Sequence, residues 1–139
     1  MTAFVLDPRL EADSDPIATV RNVQARMMND ARYPWLILVP EDAGASELFD
    51  LAPPREAEFN ALCCRVAAAM KAEFGAEKMN VAQLGNVVTQ LHVHVIARHP
   101  SRDPAGAAPV WGVGKMQPMT DTEKAARRAA FLRVFEAIA

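Results

Sequence analysis

The chain has 139 residues, 51% apolar and 23% charged, with 15 basic and 17 acidic side chains for a net charge of −2. That balance fits one soluble globular domain and excludes a disordered chain; with no run of about 18 apolar residues and no dense block of Lys or Arg, neither membrane nor nucleic acid is an expected partner. The two cysteines, Cys63 and Cys64, are adjacent and cannot close an ordinary structural disulfide without strain. No basic stretch followed by an apolar run opens the sequence, so the cytoplasm is the expected location.

In chain order, Asp15–Met28 shows imperfect period-two alternation of apolar residues, which predicts a strand with an irregular start. A polar break at Asn29–Arg32, whose Asp30 and Arg32 read as a solvated turn, precedes Trp35–Val39. This uninterrupted apolar run, stopped by Pro40, has the pattern of a strand buried on both faces. The two strands are expected to form a hairpin. A short segment, Glu47–Leu51, leads to Ala52-Pro53-Pro54, where proline presets φ for a helix start. The helix is predicted from about Pro54 to Phe74, because Phe59, Leu62, Cys63, Val66 and Met70 recur at three- and four-residue spacing and Gly75 is placed to end it.

Lys78–Leu84 and Val87–Arg98 read as two further strands joined at a Gly85-Asn86 turn. His99–Met119 is too rich in proline and glycine for regular structure. A capping box, Thr120 to Glu123, opens a last helix over about 120–138, with Ala130, Phe131, Val134, Phe135 and Ile138 on its apolar face. There is no βαβ alternation and no internal repeat. The expected fold is α+β: a single domain over residues 1–139, an antiparallel β-sheet with one long helix packed on it and a C-terminal helix.

The three histidines, His92, His94 and His99, all fall within eight residues. In Gln90-Leu-His-Val-His-Val-Ile96, strand parity puts Gln90, His92 and His94 on one face and Leu91, Val93 and Val95 on the core side. Imidazole is the side chain best suited to proton transfer near neutral pH, and a strand fixes its direction. Polar surface alone would also give a His-x-His pattern. Zinc binding by His92 and His94 with His99 or Cys64 is the weaker metal reading, because His99 has the opposite parity and Cys64 belongs to a helix. The Gly85-Asn86 turn is placed to bring backbone N–H groups and an amide toward an anion over the histidines. Arg98 reads first as a strand-end cap, and Trp111 as a packing residue of the irregular loop.

The segment from Gly85 to Arg98 resembles the signature of the histidine-triad (HIT) family, in which three histidines alternate with apolar residues after a Gly-Gln or similar turn. Met28-Asn29 followed by Trp35–Pro40, the long helix, and Pro109-Val-Trp111-Gly112 resemble further parts of that family in the same order, over roughly residues 16–114. The resemblance implies a HIT-like fold and a nucleotide hydrolase or nucleotidyl transferase acting at an α-phosphate through a nucleotidyl-histidine intermediate. A dinucleoside polyphosphate such as diadenosine tetraphosphate, or a nucleoside phosphoramidate, would be the substrate. A nucleotide- or partner-binding module with little catalytic activity is the alternative. By the same resemblance His92 is the nucleophile, and His94, as an imidazolium, contacts phosphate and leaving group and supplies a proton. Gln90 completes the triad row, replacing a histidine. Asn86 and Gly85 fall on the family's turn, Asn29 near the ribose and Asn80 on the adjoining strand. Trp35 replaces a histidine and stacks on a base or packs in the core, and Trp111 closes the pocket. A homodimer and a purine nucleotide or dinucleoside polyphosphate are the implied partners, with no cofactor and no metal.

Overall fold

The computed structural model describes residues 3–139. A short helix, α1 (Pro8–Asp13), is followed by strands β1 (Ser14–Val20), β2 (Val23–Met28) and β3 (Trp35–Pro40), then a single 3-10 turn at Leu48–Asp50. The long helix α2 (Pro53–Phe74), strands β4 (Lys78–Ala82) and β5 (Val93–Arg98), and helix α3 (Asp121–Ile138) complete the chain. The sheet is five-stranded and antiparallel in the order β1-β2-β3-β5-β4.

α2 and α3 follow the sequence closely. The α2 stripe of Phe59, Leu62, Cys63, Val66 and Met70 is buried, and Gly75 terminates the helix at φ +58°, the left-handed conformation that glycine adopts without a Cβ clash. Thr120 and Glu123 form the reciprocal capping box at the start of α3. Both helices cover one face of the sheet, packing Phe59, Val66, Phe131 and Val134 against Val23, Ala25, Leu36, Leu38, Val93 and Val95. The opposite face carries a second, smaller core of Leu10, Tyr33, Trp35, Ile37, Val39, Ile96 and Val110, closed by α1 and by the irregular segment after β5. β3 is buried along its whole length because it lies between these two cores.

Three expectations change. The segment 15–28 is not one strand but a hairpin, reversed at Arg21 and Asn22, which both have positive φ (49° and 56°), the geometry of a tight two-residue turn. Arg55 braces that turn by donating to the carbonyls of both residues. Asp30 and Arg32 are not a solvated turn. Asp30 is fully buried, ion-paired to Arg32 at 2.9 Å, because the connection to α3 passes over it and Arg127 donates to its carbonyl. Finally, the last strand begins only at Val93. The pairing of β4 with β5 stops at Ala82 and His94, and residues 83–92 leave the ladder, with the Leu91 N–H bonding instead to the carbonyl of Ala45.

Candidate active site

That departure from the ladder makes a cleft. Residues 84–88 swing out over the second face of the sheet and form one wall; Leu10 and Asp13 of α1, Met28 at the end of β2, and Trp111 form the rest, with His92 and His94 between them. The volume is about 420 Å³, within the range of small-ligand sites. Gly85, at φ +82°, and Asn86 sit at the rim. Although His92 precedes the strand, its parity with His94 is kept, so both rings face the cleft at a centroid separation of 4.9 Å while Leu91, Val93 and Val95 enter the large core.

Both rings are largely buried, His92 at 6% and His94 at 7% exposure, and each has one nitrogen held by a partner whose chemistry is unambiguous. Nδ1 of His92 lies 2.7 Å from the carbonyl oxygen of Gln90. A carbonyl can only accept, so this nitrogen carries the proton and Nε2 keeps its lone pair. Nδ1 of His94 lies 3.0 Å from the indole Nε1 of Trp35, which can only donate. The neutral His94 ring therefore carries its proton on Nε2. The two imidazoles are set as opposite tautomers, one presenting an electron pair and the other an N–H. Burial first, and the neighbouring His92 second, push the pKa of His94 down to about 3, a shift that works against the imidazolium form expected at this position and favours the neutral donor.

The remaining site residues divide by place. Gly85, Asn86 and Trp111 line the cleft; Trp111 packs edge-on against His94, with centroids 5.0 Å apart. Gln90 does not. Its carbonyl orients His92, but its side-chain amide turns to the N-terminal segment, accepting from Asp7 N–H and donating to the Val5 carbonyl, both at 2.8 Å. Trp35 lies behind His94, 5% exposed, as part of the smaller core. Asn29 accepts the Met119 N–H and fastens the start of α3, and Asn80 accepts from Arg98. In both, the side-chain oxygen is taken up by a donor of the fold, a backbone N–H for Asn29 and a guanidinium for Asn80. His99 bonds the carbonyl of Gly75 at the end of α2, away from the cleft. Among the described residues no group of three His, Cys, Asp or Glu is arranged to hold a metal ion.

Sequence reasoning missed the α1 wall. The signal was present: Asp7 followed by Pro8 is an N-cap with proline at the first helical position, and Asp7 does accept the Arg9 N–H. Arg98, read as a strand-end cap, is instead a buried brace. It pairs with Asp103 at 2.8 Å and donates to the carbonyls of Gly106 and Ala108, fixing the segment that presents Trp111.

The family model of the HIT domain matches residues 9–101. Among solved structures, the chain is 48% identical to a histidine triad protein of Sinorhizobium meliloti 1021 (94% of this chain and 96% of that one covered, TM-score 0.89). It is 38% identical to one of Bradyrhizobium japonicum (95% and 98%, TM-score 0.91) and 36% identical to one of Marinobacter aquaeolei VT8 (99% and 100%, TM-score 0.94). Comparison with curated proteins gave no match. A fold of this class, carrying a paired-histidine cleft, is that of a nucleotide-binding HIT-type protein. The chain belongs to the HIT family.

Proposed function

We propose that the protein is a nucleotide hydrolase or nucleotidyl transferase in which Nε2 of His92 attacks the α-phosphorus of a purine nucleotide. The observation that carries this reading is the opposed tautomer pair: an imidazole lone pair aimed into a cleft beside an imidazole N–H donor. A nucleophile needs the first, and the charge that develops on the phosphoryl oxygens needs the second. Asn86 and the Gly85 backbone supply polar groups at the rim, and Trp111 offers an aromatic face to the bound nucleotide. No cofactor enters this scheme. β4 forms an edge of the sheet with Val81 half exposed, and a homodimer is the assembly we assign. Two free, adjacent cysteines accord with a reducing, cytoplasmic setting.

The test is release of nucleoside monophosphate from diadenosine polyphosphates and from adenosine 5′-phosphoramidate. Activity is expected to vanish in His92→Ala, and mass spectrometry of acid-quenched protein is expected to find a nucleotidyl adduct on His92. The removal of Gln90's amide from the cleft favours a second reading, a binding module with little turnover. Tight binding of a purine nucleotide without turnover of any of these substrates would establish it instead.

A further inference from the structure

Trp35 does more to His94 than fill space. The nitrogen at which His94 would have to take up a second proton is the one already facing the indole N–H, and two hydrogens cannot share that contact. Nor is the indole free to turn away. It is packed in the smaller core, and Trp111 stands edge-on to both rings, with centroids 5.8 Å from Trp35 and 5.0 Å from His94. The titratable groups facing His94 are His92 beside it and Asp13 of α1 across the cleft. Burial depresses the ring's basicity in the same direction as the indole contact.

We propose that Trp35 is a positioning residue that holds His94 as a neutral hydrogen-bond donor and thereby confines the reaction to nucleotides whose α-phosphorus is joined to a second phosphate, excluding phosphoramidates. The inference rests on the nucleotidyl-transfer reading above. In the first step the Nε2 lone pair of His92 forms the N–P bond and the P–O bond to the next phosphate breaks, its electron pair staying on the departing oxygen. That oxygen leaves as a stabilised phosphate anion, which needs a hydrogen bond but no proton, and the His94 Nε2–H can provide one. In the second step water attacks phosphorus, the N–P pair returns to His92, and the water's surplus proton passes to solvent. An amine leaving group is different. Its P–N bond breaks only as nitrogen gains a proton, and the sole proton on His94 could be given up only by forming an imidazolate. His94 therefore cannot serve that route as its acid.

The experiment measures monophosphate release by the full chain from diadenosine tetraphosphate and from adenosine 5′-phosphoramidate, in the unaltered protein and in Trp35→Phe, which keeps an aromatic ring and loses the N–H. Nitrogen-15 NMR of the histidine rings is recorded on both. General-acid catalysis contributes about 10²-fold or more, so the phosphate-linked substrate is expected to be favoured by at least about that factor. Trp35→Phe is expected to narrow the ratio by about tenfold or more and to release His94 from the pure Nε2–H tautomer. If Trp35→Phe does not fold, the tautomer and the substrate ratio of the unaltered protein decide. Equal or faster cleavage of the phosphoramidate, or a His94 protonated on Nδ1 at neutral pH, overturns the inference and leaves nucleotidyl transfer standing. Cleavage of neither substrate overturns both.

Discussion

Gln90 and Asp7 lie 83 residues apart in sequence and share a 2.8 Å hydrogen bond in which the side-chain amide oxygen of one accepts the backbone N–H of the other. With the return bond from the same amide to the Val5 carbonyl, Gln90 acts toward the N-terminal segment as a neighbouring strand would, satisfying one donor and one acceptor. Arg9 adds a bond to the Val87 carbonyl, so the segment that leads into α1 is tied to the cleft's opposite wall.

Gln90→Ala is therefore expected to loosen this segment selectively. Partly exposed hydrogen bonds contribute about 1 kcal/mol each, so amide exchange in residues 3–13 should accelerate by about tenfold or more while the amides of β3 and α2 keep their protection. A uniform change across the chain would show that Gln90 serves the whole fold instead. Gln90→His is expected to release the segment as well, and not to add a third imidazole to the cleft.

Stability is expected to fall in mild acid through His94. The unfolded ring binds a proton near the ordinary value of 6.5, whereas the folded ring resists until about 3, so between these values the unfolded state holds more protons. The contribution to stability is then complete above about 6.5 and lost progressively as pH falls toward 3, on the order of a few kcal/mol in total. Urea unfolding from pH ~7.5 to ~4.5 should show a shallower decline in His94→Asn than in the unaltered protein. Parallel declines would exclude His94 as the source.

Arg98 is almost fully buried, and each of its donor groups is used: by Asp103, by Asn80, and by the carbonyls of Gly106 and Ala108. Arg98→Met leaves the Asp103 carboxylate buried without its cation, a loss expected to cost about 3–5 kcal/mol by denaturant unfolding. Adding Asp103→Asn should recover part of it. Because the same guanidinium fixes the segment carrying Trp111, a red-shifted, more quenchable tryptophan emission is expected in Arg98→Met under conditions where it stays folded.

The adjacent cysteines should behave as opposites. Cys64 is exposed, whereas Cys63 is buried and its thiol is pushed up to about 12, by burial first and by Cys64 second. An aromatic disulfide reagent is expected to titrate one thiol in the native protein and two after denaturation, with native labelling abolished in Cys64→Ser. Two native thiols would mean that α2 opens readily.

The helices were legible because a buried stripe leaves a periodic trace, as Phe59 to Met70 and Ala130 to Phe135 do, and because Gly75 and Thr120 mark ends by local chemistry. The sheet was legible wherever both faces are apolar, as at β3. Alternation also placed His92 and His94 together, but it could not show that the ladder breaks before Val93, since that break is made by the Leu91 bond to Ala45, distant in the chain. Polar residues were the least readable. Gln90, Asn29, Asn80 and Asp30 each find a partner far along the chain or under another element, and a side chain's type does not say whether its hydrogen bonds go to a ligand or to the fold.

His94 and Arg98 stand four residues apart on β5, one facing the cleft and the other anchoring the segment that walls it. Inserting or deleting a single residue between them would turn one of the two to the helix-covered face, so the reacting ring and the wall could not both keep their places. β5 therefore admits replacement of residues but not a change in their number, whereas residues 84–88, outside the ladder, are the part of the cleft where length can vary and with it the size of ligand admitted.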